Sequence, residues 1–347
     1  MQNKITFLSR QDNKPSMDFI MLKNELLRRE KDIKIVFICK RLESGFIHTV
    51  KYALIIIKSI YNIATSKTCI LDSYWPAVSV IKNIKHTKII QIWHAMGKIK
   101  KSGYQTLNKT SGRSEKVAKI MRMHQNYDII IAGGKAWNKF YCESFGVSED
   151  ILYNTGLPRM DYLLKNKDNI KDKIHKKYPQ FREKELILYA PTFRKTKDKI
   201  FSESNEWKTL ISKINTDKFN VILKGHPNEK LIYDKNGIYN CDEFLAYELL
   251  TVCDYVITDY SAIAVEAALL DKKTLYYLYD YDEYTSRNGL NLDPFIEMPE
   301  SSFKTADGII NCLESGNYNT HELIEYKKKY LPETLGQATK LIIDKVI

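Results

Sequence analysis

Residues 254–270 read DYVITDYSAIAVEAALL. Tyr255–Thr258 is a short run of aromatic and β-branched residues. It breaks at Thr258-Asp259-Tyr260-Ser261 and is followed by an alanine-rich segment with the composition of a helix. A strand that turns directly into a helix is the repeating unit of a parallel sheet with helices on its faces. Ser261 or Asp259 is the expected N-cap, and helix amides at that point would receive an anion together with the Thr258 and Ser261 hydroxyls.

The same unit recurs in both directions along the chain. Strands are expected at Ile5–Leu8, Ile33–Cys39, Thr68–Asp72, Lys88–His94, Asp128–Ala132 and Leu152–Thr155. They return at Leu186–Ala190, Asn220–Lys224 and Thr274–Leu278, with helices near Glu206–Ile214, Asp242–Val252 and Ala262–Leu270. The lysine-rich stretch Asn166–Lys184, nearly free of large aliphatics, separates two α/β blocks. At 347 residues the chain has room for two cores, residues 1–165 and 166–347. Segments around His321–Tyr330 and Glu333–Val346 read as helices that cross back. The expected architecture is two doubly wound, Rossmann-like domains facing each other across a central cleft, with ligands at the carboxyl ends of the strands.

Unusual residues fall at those ends. QIWHAMGKIKKSGY (91–104) places His94 after an apolar run and before Gly97, Lys98, Lys100 and Lys101, a titratable imidazole beside a basic turn. LKGHP (223–227) ends a strand in Lys224, Gly225, His226 and Pro227. YAPTFR (189–194) ends another in Thr192 and Arg194, whose planar fork suits phosphate oxygens. Glu266 lies inside the helix after TDYS and needs a partner, such as a ribose hydroxyl or a basic side chain. GLPRMDYL (156–163), Arg287-Asn288-Gly289 and Asp293 read as loops.

Composition narrows the function. The net charge of +12 implies an acidic partner. No zinc-finger spacing or aromatic RNA-binding signature accompanies the lysines, so nucleic acid ranks last. The six cysteines form no CxxC pair and fit a reducing compartment. No signal peptide or membrane span is read, which points to the cytoplasm. Thr49–Ala64 (TVKYALIIIKSIYNIA) reads as a domain-core helix, with an interfacial membrane anchor as the alternative. Phosphate-loop, dinucleotide, nucleophile-elbow and HExxH motifs are all missing from the sequence. A two-domain nucleotide-dependent transferase remains.

At QIWHAMGKIKK, APTFR, LKGHP and ITDYSAIAVE the sequence resembles the CDP-glycerol glycerophosphotransferase family of teichoic acid synthesis. YNTGLPRMDYL and YDYDEYTSRNGL are also similar, and the resemblance runs from about Ile5 to Asp293. RNGLNLD departs from the family's usual run.

The resemblance implies a GT-B-like pair of domains, the first (1–165) on the acceptor and membrane side and the second (166–347) binding the CDP-alditol. It implies transfer of glycerol phosphate or ribitol phosphate from CDP-glycerol or CDP-ribitol to a hydroxyl of a polyprenyl-diphosphate-linked glycan, releasing CMP. By position His94 would be the general base and His226 a second catalytic group. Arg194, Lys224, Thr258, Asp259, Ser261, Gly97, Lys98 and Arg287 would surround the substrate, with Glu266 on the cytidine ribose. No metal and no further cofactor are expected, lysine, arginine, histidine and helix amides taking that role. The partners would be the lipid-linked acceptor and the anionic inner face of the cell membrane, where the protein would sit peripherally. The chain length fits a primase or short-chain transferase better than a large polymerase. A nucleotide-sugar glycosyltransferase or epimerase of the same fold is the rival enzyme, and a non-catalytic membrane-associated scaffold is the rival from another class.

Overall fold

Strands form where β-branched and aromatic runs alternate with helical segments, and they gather into two parallel sheets. The computed structural model describes residues 3–41, 46–81, 86–192, 194, 205–225 and 231–347, and the side chains of 46–49 are left aside. Two units result: Met1–Tyr162 with Tyr330–Ile347, and Leu163–Lys329. The sequence suggests a second domain to 347 whose last helices cross back; the helix Thr320–Tyr330 stays almost wholly with the second unit, and the terminal segment Tyr330–Ile347 belongs with the first. It is held there by the helix Ala338–Val346, whose first amides, of Ala338 and Thr339, donate to the Asp161 carboxylate at 3.0 and 2.7 Å. Arg29 also pairs with Asp344 at 2.5 Å.

The first unit contains strands β1 (Lys4–Ser9), β2 (Lys34–Cys39), β3 (Thr68–Leu71), β4 (Lys88–Gln91), β5 (Ile129–Ile131) and β6 (Leu152–Tyr153), in the order β2-β1-β3-β4-β5-β6. All are paired in parallel, with Ile5 opposite Thr68 and Leu71 opposite Gln91. Helices cover both faces of such a sheet, so its strands read as nearly continuous apolar runs: Ile5, Phe7, Leu8, Ile70, Leu71, Ile89, Ile90 and Ile130 are buried. The chain turns back between β2 and β3, so the loops leaving the neighbours β1 and β3 run in opposite directions. That is the topological switch point, where a crevice opens at the carboxyl ends of the strands.

The second unit contains β7 (Glu185–Tyr189), β8 (Phe219–Leu223), β9 (Ile238–Tyr239), β10 (Tyr255–Thr258), β11 (Lys273–Tyr277) and β12 (Ser302–Phe303), in the order β12-β11-β10-β7-β8-β9. Its switch point lies between β7 and β10, which pair as Ile257 opposite Tyr189. Ile187, Trp207, Leu210, Val221, Tyr255, Ile257, Leu275 and Ile309 form one buried cluster beneath it.

Several local expectations change. The segment Asn166–Lys184 is mostly helix, inside Pro158–Lys177, and its narrow apolar stripe of Leu163, Ile170 and Ile174 is buried. That helix also absorbs Pro158–Leu163 of the presumed loop GLPRMDYL. The helix expected over Asp242–Val252 shrinks to Ala246–Leu249. The helix Phe46–Ala64 is not simply a core helix. Its inner side buries Ser59, Asn62 and Ile63, whereas Val50, Leu54, Ile57 and Tyr61 are exposed. That spacing of four, three and four residues puts the exposed apolar groups on one stripe. Among the described residues no helix is long and apolar enough to cross a membrane.

Candidate functional sites in the two units

In the first unit β4 ends at Gln91, earlier than the run to Trp93 or His94 suggested. The Gln91 side chain captures the Trp93 amide at 2.9 Å, and Trp93 adopts a left-handed backbone with φ 58°. This reversal swings His94 back toward the loop after β3. Its Nδ1 lies 3.2 Å from the Asp72 carbonyl. A carbonyl only accepts, so this partner requires Nδ1 to carry the proton and leaves Nε2 as the basic nitrogen. The Gln11 amide nitrogen is also 3.2 Å from Nδ1. Rotating that amide to present its oxygen removes the conflict, whereas the backbone carbonyl has no such freedom.

The position of His94 is fixed from three sides. Trp93 packs on the ring with centroids 4.3 Å apart. The His94 carbonyl accepts from Arg159 Nη2 at 3.1 Å, and Arg159 is itself gripped by buried Asp18, with Nε–Oδ2 at 2.9 Å. Burial lowers the imidazole pKa to about 4, with Lys98, Arg159 and Lys100 acting the same way against the Asp72 hydrogen bond. The ring is therefore neutral at pH 7, as a general base must be.

Lys98 does not sit on a solvated basic turn. It is buried, its ammonium nitrogen donating to Ser102 and Ser144 at 3.0 Å each and lying 4.0 Å from the Trp93 ring and 3.9 Å from Phe145. Burial pushes its pKa well below the ordinary value. Gly97 is needed for packing, since a Cβ there would lie 2.6 Å from the Trp137 indole. The flanking sequence supplies scaffold where an anion-binding turn was expected.

In the second unit the loops after β7 and β10 meet at the switch point. The Asp259 carboxylate accepts from the Thr192 amide at 2.9 Å, the Tyr260 amide at 2.6 Å and Arg194 Nη1 at 2.6 Å. Arg194 also spans to Asp280, with Nε–Oδ2 at 2.5 Å and Nη2–Oδ1 at 3.0 Å. Burial works against the guanidinium charge, and the two carboxylates outweigh it. Tyr260 and Tyr284, stacked at 3.8 Å, lie beside the group. Arg194 thus ties three loops together where a direct phosphate contact had been expected. The Thr258 hydroxyl is likewise engaged, donating to the Ala190 carbonyl at 2.7 Å.

The other expected residues are scattered more widely. The helix after TDYS begins at Ile263 with Ala262 at its cap and no side-chain cap, and Ser261 Oγ accepts only a long 3.5 Å bond from the Ile263 amide. Glu266 is buried within that helix. Lys224 follows β8 and donates to the Cys241 carbonyl at 3.0 Å. Arg287 lies in the helix Tyr281–Arg287 and pairs with Glu283 at 2.9 Å. His226 lies outside the described residues.

The profile of the CDP-Glycerol:Poly(glycerophosphate) glycerophosphotransferase family matches residues 1–347, the whole chain. The chain belongs to this family. The teichoic acid poly(ribitol-phosphate) polymerase of Bacillus spizizenii is 28% identical across 99% of this chain, which spans 56% of the relative's length. The teichoic acid glycerol-phosphate primase of the same species is 30% identical over 85% of this chain and 78% of its own. Among solved structures, the wall teichoic acid polymerase TagF superposes with a TM-score of 0.76 at 16% identity, covering 100% of this chain and 88% of TagF. UDP-GlcNAc 2-epimerase from Neisseria meningitidis gives 0.60 at 15% identity, over 99% of both chains. These likenesses establish a two-domain GT-B-like fold.

In this glycerophosphotransferase-family chain the sequence reading missed Asp72, the residue after β3. The strand-end rule that singled out His94 would have found it. Asp72 is 3% exposed, and its Oδ1 has no hydrogen-bond partner among the described residues. Burial raises its pKa to about 6, against the hydroxyls of Ser9 and Ser73. A carboxyl whose pKa is higher folded than unfolded binds its proton more tightly in the folded state, so stability falls as pH rises from about 4 to 6. Asp72→Asn removes that penalty. We expect a gain of at most about 3 kcal/mol at pH 7.5, from a shift of roughly two units at 1.36 kcal/mol each, vanishing at pH 4. Urea unfolding at the two pH values measures it, and a variant less stable than the parent at pH 7.5 would refute it.

Proposed function

We propose that this chain transfers glycerol phosphate or ribitol phosphate from a CDP-alditol to a hydroxyl of a lipid-linked glycan acceptor in the synthesis of teichoic acid or a related cell-surface polymer. The observation that carries the reading is His94, held through Nδ1 by the Asp72 carbonyl with Nε2 left basic. In the reaction the acceptor oxygen attacks the β-phosphorus of the donor while Nε2 takes the hydroxyl proton. The bond from that phosphorus to the CMP oxygen breaks, and CMP leaves with the electron pair. This chemistry needs positioning and charge stabilisation more than covalent catalysis. In the second unit the Arg194–Asp259–Asp280 brace holds the TDYS and PTFR loops in place for the donor. Family membership supports the donor class.

The exposed stripe Val50, Leu54, Ile57 and Tyr61, flanked by exposed Lys51 and Lys58, supports docking on an anionic membrane surface at its cytoplasmic face. Incubation with CDP-glycerol, CDP-ribitol and UDP-sugars, with a lipid-linked acceptor present, tests the donor. CMP release from a CDP-alditol, dependent on acceptor, is expected. Turnover of UDP-sugars only would replace this reading with a glycosyltransferase or epimerase, and no turnover of any donor would favour a binding scaffold.

A further inference from the structure

At the switch point of the first unit a cavity of about 480 Å³ is lined by Arg10, Gln11, Tyr74, Trp93, Arg113 and His124, among others. It adjoins His94 through two of these, Gln11 at 3.2 Å from Nδ1 and Trp93, tilted against the ring with centroids 4.3 Å apart. None of the charged residues that line it was singled out by sequence.

Two guanidinium groups converge on the same aromatic ring. Arg10 Cζ is 5.9 Å and Arg113 Cζ 5.8 Å from the Tyr74 centroid. Neither makes an ion pair among the described residues. The acids near them in sequence are engaged elsewhere: Asp12 caps the Asn13 amide, and Glu115 pairs with Lys119 at 3.6 Å. Arg10 Nη1 donates to the Tyr74 carbonyl at 3.0 Å, while its buried Nε has no hydrogen-bond partner among the described residues. Burial lowers the Arg10 pKa and the Arg113 charge acts in the same direction. Two cations placed together with a donor unused are stabilised by an anion between them.

The walls are tightly determined. Trp93, Gly103 and His124 line the cavity in left-handed backbone, with φ of 58°, 58° and 60°. Such a conformation in Trp and His is costly and persists where the surroundings impose it. A Cβ on Gly103 would fall 2.0 Å from the Ser144 carbonyl oxygen, and one on Gly112 1.8 Å from that of Thr106. Tyr74 and His124, with centroids 5.2 Å apart, offer flat apolar surface beside the cations.

We propose that this cavity binds a phosphate ester of a polyol or sugar, its phosphate held by Arg10 and Arg113 and its carbon skeleton against the aromatic wall. Resting on the function proposed above, the ester is the phosphorylated end of the acceptor, brought beside His94.

Binding is read directly from tryptophan emission, because Trp93 lines the cavity whereas Trp75, Trp137 and Trp207 are at most 1% exposed. Glycerol 3-phosphate titrated into the full chain should give a saturable change, and glycerol should give none. Arg10→Gln and Arg113→Gln should each weaken binding by about tenfold or more, the loss expected for one charge-assisted hydrogen bond. Arg113 is exposed, so its variant keeps the fold even if the Arg10 variant does not. An unsaturable response, or unchanged affinity in Arg113→Gln, overturns the site. Inorganic phosphate binding as tightly as the ester overturns the role of the aromatic wall. In turnover assays both variants should raise the acceptor KM and leave the CDP-alditol KM unchanged; the opposite split overturns the acceptor assignment. The binding arm needs no turnover, so failure of the proposed reaction and failure of this site give different results.

Discussion

His94→Ala abolishes transfer, by at least about a hundredfold in kcat, while near-ultraviolet circular dichroism stays that of the parent. General base catalysis contributes roughly 10²–10⁴-fold, which sets the size of the loss. The fold survives because the ring's hydrogen bonds, to the Asp72 carbonyl and Gln11, are peripheral to the buried strands. The pH profile adds a test that a merely structural histidine would fail. Burial, with Lys98, Arg159 and Lys100 nearby, lowers the pKa to about 4, so the free protein keeps a basic Nε2 well below pH 6.5. The acid limb of kcat/KM should therefore lie near pH 4 to 5. Anionic substrates favour the imidazolium, so the acid limb of kcat, which reports the bound complex, should lie higher. Retention of transfer within a few-fold by the alanine variant would rule out the base role, whereas a kcat/KM limb at pH 6.5 or above would overturn only the lowered pKa.

Strand ends were legible in the sequence because fully buried parallel strands leave long apolar runs, and TCIL, ELILY and YVIT stand out against lysine-rich surroundings. Of the three two-residue strands described, Leu152–Tyr153 falls in the expected run Leu152–Thr155, whereas only their sheet neighbours reveal Ile238–Tyr239 and Ser302–Phe303. Strand order is a non-local property. That β7 lies beside β10 is written nowhere in either segment, yet it is what brings Thr192 and Arg194 to Asp259. The site was therefore legible as residue types at strand ends but not as partners. Arg194 looked like a phosphate fork because its two carboxylates lie 65 and 86 positions away. Lys98 looked solvated because its neighbours in sequence are basic, whereas Trp93, Ser144 and Phe145 enclose it in space. The helix Pro158–Lys177 was obscured by its composition, since from Lys165 on lysine, aspartate and asparagine fill nearly every position apart from the aliphatics Ile170 and Ile174.

Arg194→Met should cost about 3–5 kcal/mol of stability, the range for breaking a buried ion pair by removing one partner. The side chain of Asp259 is 3% exposed and that of Asp280 14% exposed, and losing the guanidinium leaves both without their counter-charge. Two features moderate the loss: Asp259 retains the amides of Thr192 and Tyr260, and Asp280 retains the Tyr260 hydroxyl at 3.1 Å. Adding Asp280→Asn to the methionine variant removes one of the two stranded charges, so the double variant should regain part of the lost stability. A guanidinium that instead gripped the donor phosphate would behave differently: its loss would raise the CDP-alditol KM and leave the urea midpoint almost unmoved. Urea unfolding of the single and double variants, read beside donor KM, separates the two roles. A single-variant loss below about 1 kcal/mol, the scale of an exposed pair, would return Arg194 to the substrate.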